Sequence, residues 1–147
     1  NMMRDKLGLF GVDEKDKFLI LDLLTWMHQK KADYTNTFCH LMNENLNEDK
    51  DYEDKDFQNW KIRWDERLKI NNNSPEKYLK LMKTVNPLII PRNLKVEKAL
   101  EAAEKDDLKP ANRLIKILEN PYTQQDNILD YQTPSDLDEK YQTFCGT

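Results

Sequence analysis

From Phe18 to Met27 the chain carries eight apolar side chains in ten positions. A surface helix shows one apolar stripe, whereas this segment is apolar nearly all round. It must therefore be central, or be covered on its second side by a partner. It is far shorter than the roughly 18 apolar residues of a membrane span. No segment elsewhere keeps the period-two alternation of a half-buried strand. Glycine occurs only at Gly8, Gly11 and Gly146, so no Gly-rich phosphate loop is present. The expected class is all-α: an irregular bundle of about five to seven helices with αα-hairpins and an extended C-terminal tail.

Local signals place the helices. Asn1–Leu9 reads as the end of a helix closed by Leu7-Gly8, so the chain looks cut from something longer. Asp13 is the expected N-cap of the helix through Phe18–Met27, with Glu14 and Asp16 in its first turn. Asp33 can cap a helix through Phe38 and Met42. Phe57, Trp60, Ile62, Trp64 and Leu68 predict a long amphipathic helix. Ser74-Pro75 is an N-cap followed by proline at the first helical position. Asn86-Pro87 and Pro91 punctuate an extended crossing. Helices resume at Asn93 and around Pro110, and Asn120-Pro121 ends the last strong one. Residues 1–121 then form a helical domain. Residues 122–147, polar and without period, form an extended or partly ordered tail carrying Cys145.

The 147 residues hold 23 basic and 27 acidic side chains, a net charge of −4. A nucleic-acid surface usually needs a basic face. The nearest candidate is Lys61, Arg63, Arg67 and Lys69, interleaved with Trp60 and Trp64. An ordinary helix explains it better, with Lys61–Asp65 and Asp65–Lys69 pairs and core-facing tryptophans. The acidic run Asn43–Asp56 lacks the spacing and the glycine of a calcium loop. His28, His40 and Cys39 do not make a zinc set, which needs three or four ligands. Cys39 and His40 are adjacent in sequence and so project differently from a helix. Asn72-Asn73-Ser74 matches a glycosylation sequon, but Pro75 follows. Neither a signal nor a transit peptide is recognisable. Leu94–Leu118 could be one tetratricopeptide-like hairpin, but no second copy follows, and an ordinary αα-hairpin is favoured. Cys145 differs from a core cysteine: a thiol third from the end of a tail can reach a distant partner.

Several stretches, in order, resemble the C-terminal part of the SelO (YdiU) family of pseudokinase-like protein adenylyltransferases. They are Arg4-Asp5-Lys6-Leu7-Gly8, then Asp33-Tyr34-Thr35 with Phe38, then Trp60 with Arg67-Leu68. Met82, Asn86-Pro87 and Arg92-Asn93 follow, then Ala99, Ala102-Ala103-Glu104, Asp106, and Leu114 through Asn120-Pro121-Tyr122. Cys145-Gly146-Thr147 matches the terminus, where the family carries cysteine or selenocysteine. Pro91, Asp107 and the single tail proline Pro134 depart from the pattern.

The resemblance implies a parent nucleotidyltransferase that moves AMP from ATP to protein hydroxyls (AMPylation) with Mg or Mn, on a kinase-like core. The family's ATP-binding, catalytic and metal-binding residues are expected before this chain begins. No catalytic, cofactor-binding or metal residue therefore carries onto it, and the fragment alone is expected to be no enzyme. Cys145 matches the redox-active terminal position, whose disulfide partner would lie in the catalytic core. The implied partners are that core and the parent's protein substrates, with neither nucleic acid nor membrane. The implied location is the cytoplasm of a bacterium, or the mitochondrion for eukaryotic relatives. From another class, a free-standing interaction module could bind a peptide through the Trp60–Leu68 face or the Leu94–Leu118 hairpin.

Overall fold

The computed structural model describes residues 2–44, 50–70 and 74–133. Among them the chain is all-α, with no strand. The helices are α1 (Met2–Lys6), α2 (Asp16–Lys30), α3 (Tyr34–Leu41), α4 (Lys55–Lys69), α5 (Pro75–Val85), α6 (Asn93–Glu104), α7 (Lys109–Leu118) and α8 (Ile128–Gln132). A 3-10 turn, Lys50–Glu53, precedes α4. The eight exceed the expected five to seven by α8, which at five residues is too short to display a helical period.

Helix α4 organises the core. Phe57, Trp60, Trp64, Arg67 and Leu68 recur at three- and four-residue spacing and are all buried. Their rings form a ladder: Phe57 to Trp60 at 5.9 Å, Trp60 to Trp64 at 6.0 Å, and Trp64 to Tyr78 of α5 at 6.3 Å. Trp26 of α2 joins it at 4.7 Å from Phe57. A buried indole N–H needs an acceptor. Trp60 donates to the Leu19 carbonyl at 2.8 Å, and Trp64 to the Leu7 carbonyl at 2.9 Å. The ladder is thereby fixed to α2 and to the end of α1.

The caps largely follow the sequence. Asp33 accepts from the Asn36 N–H at 2.9 Å, and Ser74 caps α5 with Pro75 at its first position. Gly8 closes α1: its N–H reaches the Asp5 carbonyl at 3.0 Å, and the Leu9 N–H reaches that of Arg4 at 2.9 Å. This is the paired bonding of a Schellman end, which needs a left-handed residue. Gly8 has φ +69, and a Cβ there would lie 3.0 Å from that of Tyr78, so both conformation and space select glycine.

Two expectations change. Asp13 does not cap α2; its side chain accepts from the Lys15 N–H at 2.8 Å, and the helix begins at Asp16. Asp16 is 3% exposed and serves Arg67 and Arg4, so the first residue of the helix is held by tertiary ion pairs rather than used as a cap. The tail is not extended throughout. Residues 122–133 include α8, where Ile128 and Gln132 are fully buried.

Helices α6 and α7 pack chiefly on each other as an αα-hairpin. The Leu88 N–H, donating to the Pro121 carbonyl at 2.7 Å, ties the hairpin's exit to the extended crossing.

Asp33 also holds the Arg92 guanidinium, with Nη2 to Oδ1 at 3.0 Å and a closer contact from Nη1 to Oδ2. Both residues are buried. Arg92→Met leaves a buried carboxylate without its partner and should cost about 3–5 kcal/mol. Arg63→Met breaks an exposed pair with Asp22 and should cost less than about 1 kcal/mol. Urea unfolding of the two variants checks the contrast.

Candidate functional site

The motifs that carry the family resemblance meet in three buried polar knots. The first joins α1, α2 and α4. Arg67 reaches Asp16 with Nε to Oδ1 at 2.6 Å and Nη2 to Oδ2 at 3.0 Å, and Nη2 also donates to the Phe10 carbonyl at 2.9 Å. Arg4 holds the same carboxylate from α1. Burial pushes the Asp16 carboxyl up, but the hydrogen bonds and charge of Arg67, then the charge of Arg4, prevail and hold it below its ordinary value.

The second knot is centred on Asp33 and Arg92. Gln132 of α8 completes it: its carbonyl accepts from Asn36 Nδ2 at 2.8 Å and from Arg92 Nη2 at 3.2 Å, while its Nε2 donates to the Leu88 carbonyl at 3.0 Å. Gln132 carries no motif in the sequence. Its only local signal is a polar residue four positions after Ile128, too slight to mark a buried link.

In the third knot Asn86 donates from Nδ2 to the Lys6 carbonyl at 2.9 Å. Lys6 Nζ returns to Asn86 Oδ1 at 3.3 Å and to the Val85 carbonyl at 3.2 Å. The ammonium thus sits on the C-terminal carbonyl end of α5, where a cation is favoured.

These positions hold the fold. Asp16 and Asp33 are engaged by guanidiniums, and Asn86 and Lys6 by each other and by main-chain carbonyls. Cys39 is buried, and its thiol lies 3.5 Å from the Pro87 carbonyl. Burial, then the charge of Asp33, pushes that thiol up to about 12. A thiol kept protonated is a poor nucleophile. His40 points elsewhere, stacked on Tyr52 at 4.0 Å. Among the described residues no cluster of three or more His, Cys, Asp or Glu could hold a metal ion. Within the same residues no helix is long and apolar enough to cross a membrane.

The interleaved Trp–Lys/Arg face does not form. Trp60 and Trp64 are buried, and Arg67 is spent on Asp16. The ion pairs of α4 run to α2, Arg63 to Asp22 and Arg67 to Asp16; none joins Lys61, Asp65 and Lys69. Asp65 and Lys69 stay exposed, and the ion pairs to α2 come from other positions of the helix, Arg63 and Arg67. Cys145 and Pro134 lie outside the described residues, as do Asn72 and Asn73 of the sequon.

The Asp16 knot has a pH signature. The depressed carboxyl contributes stability that is complete above its unfolded value of about 4 and is lost as pH falls through the lower folded value. Asp16→Asn should lower stability at neutral pH and flatten the acid limb of a urea-midpoint-against-pH curve. A variant whose acid limb matches the original would place the acid sensitivity elsewhere.

With this geometry in place, comparison with known proteins is informative. The sequence model described as "Protein adenylyltransferase SelO" matches residues 1–119. The chain is 52% identical over its whole length to the "Protein nucleotidyltransferase YdiU" of Pelagibacter ubique, covering 31% of that protein. It is 45% identical to the protein of the same name from Alcanivorax borkumensis, with 99% of the chain aligned to 31% of the relative. For Nitrosococcus oceani the values are 43%, 99% and 30%. The chain thus spans about a third of the length of these relatives. The buried knots at Arg4–Asp16–Arg67, Asp33–Arg92 and Lys6–Asn86 are made largely by the residues through which it resembles the family, and the chain belongs to the SelO family of protein adenylyltransferases.

Proposed function

We propose that this chain is the C-terminal helical part of a SelO-like protein adenylyltransferase, supporting a kinase-like core that transfers AMP from ATP to protein hydroxyls. In this reading ATP and Mg or Mn bind the core, and the isolated chain has no catalysis. The core belongs to the same polypeptide, in the cytoplasm of a bacterium. Cys145 is the redox element, pairing with a core cysteine and restricting access or loop motion when oxidised.

The observation that carries the supporting role is the two-faced α2. Leu19, Leu23, Trp26 and Met27 are buried against the rest of the chain. Phe18 and Leu21, a turn apart on the opposite side, are 57% and 58% exposed. Apolar surface of this kind marks a contact site when it is contiguous. Beside it lies a cleft of about 620 Å³ between α2 and α4, with Phe18 and Ile70 among its walls. The remaining two-thirds of the relatives' length is available to cover it.

The interaction-module reading loses its first surface, because Trp60, Trp64 and Leu68 face inward. Its second surface persists, since Leu100, Leu108 and Ile115 of the hairpin are exposed. The two-faced α2 favours the supporting role.

In the full-length protein, Phe18→Asp with Leu21→Asp should lower the thermal midpoint by several degrees. The same pair should change the isolated chain by no more than about 0.5 kcal/mol, as exposed substitutions do. Equal effects on both would remove the face as an interface. Cys145→Ala in the full-length enzyme should abolish any reductant sensitivity of AMP transfer. Unchanged sensitivity would refute the redox role.

A further inference from the structure

Lys6 is the one lysine in the described core, and among the described residues no carboxylate pairs with it. Its two hydrogen-bond partners, the Val85 carbonyl and Asn86 Oδ1, are neutral. The rings of Tyr34 and Phe38 lie 5.5 and 5.3 Å from Nζ and add a cation–π attraction, again without a countercharge. The nearby Cys39 thiol stays protonated and gives none either. Burial accordingly pulls the ammonium below its ordinary range.

An ammonium has three donors. Two are directed at the end of α5. Lys6 also lines an open cleft of about 380 Å³, between α1, α3 and the α5–α6 crossing, with Tyr34, Phe38, Pro87, Ile90 and Tyr122 among its walls. That volume suits a small ligand, and the lining is that of a ligand pocket: mostly apolar walls, a few polar side chains (Thr35, Thr84, Asn86) and one charged residue, Lys6.

We propose that this cleft is a binding site for a carboxylate carried on a compact apolar or aromatic stem. The carboxylate accepts from Lys6 and supplies the missing countercharge, and the stem packs between Tyr34, Ile90 and Tyr122. A phosphate dianion fits less well, because such groups are held by several donors or a guanidinium fork, and Lys6 is the single basic residue that lines the cleft. Two sources share the chemistry: a free organic acid, or an Asp or Glu side chain from the rest of the parent polypeptide. The site itself needs nothing from the adenylyltransferase reading.

The test titrates this chain with phenylacetate and with its neutral counterpart phenylacetamide, followed by amide NMR. Phenylacetate should give saturable shifts at residues 34–38 and 84–90, and phenylacetamide should bind roughly tenfold or more weakly, the loss of one charge-assisted bond. Lys6→Gln should lose the difference between the two probes. Should Lys6→Gln fail to fold, since Lys6 also supports the end of α5, Met2→Glu carries the same test. Met2 is an exposed rim residue, and a carboxylate there should repel phenylacetate and spare phenylacetamide. Repeating the titration in the full-length protein separates the sources. Binding there identifies a free acid, and blocked binding identifies an internal carboxylate. Equal binding of the two probes to this chain, or no shift from either, overturns the proposal.

Discussion

The pairing of Asp33 with Arg92 is the contact on which much of the remaining architecture depends. One carboxylate both caps α3 through the Asn36 N–H and neutralises a guanidinium. Arg92 stands immediately before α6, and its side chain also reaches the last residue of α8. The pair therefore fixes three separate segments at once. A buried ion pair is not a cheap source of stability, because desolvation offsets much of the attraction. What it supplies is position. With both groups buried, only the arrangement that brings them together avoids an uncompensated charge.

The same logic explains which features were legible in the sequence. Ser74-Pro75, the Asp33 cap, Gly8 and the Phe57–Leu68 period are local signals, since the partner atoms lie within a few residues. Each is observed where it was expected. The helix start differs from the local reading: Asp13 bonds the Lys15 N–H ahead of α2, while Asp16, the first helical residue, is held by Arg67, 51 residues away. The Lys61–Asp65–Lys69 pairs are absent among the described residues: an exposed i,i+4 pair is worth only a few tenths of a kcal/mol, too little to hold two long side chains in one geometry. Helix α8 was invisible because five residues cannot establish a period. Gln132 became a core residue through partners on α3, α6 and the Leu88 crossing.

The site was legible in a different sense. The family motifs were found as a pattern, and the structure gives them a physical role. Arg4, Lys6, Gly8, Asp33, Arg67, Asn86 and Arg92 close helix ends or bridge elements. A polar residue buried to hold a fold and one buried to do chemistry can look alike in sequence. Partners distinguish them: the guanidiniums here are matched by carboxylates, and Asn86 by main-chain and lysine groups.

Helix α2 and Lys6 depart from that rule of completed pairing, and in different ways. The inner face of α2 is satisfied by the aromatic ladder, while Phe18 and Leu21 are left in water at a cost in hydrophobic free energy. A mostly polar chain of 34% charged residues had no need to place them there for its own core. Lys6 is the converse, a polar group taken into the core without its opposite charge. Alongside the exposed Leu100, Leu108 and Ile115 of the hairpin, they are places where apolar surface or charge is left without a counterpart among the described residues. The α2 face and Lys6 lie on separate surfaces, one beside the α2–α4 cleft and one in the cleft between α1, α3 and the α5–α6 crossing. Covering one therefore does not require occupying the other.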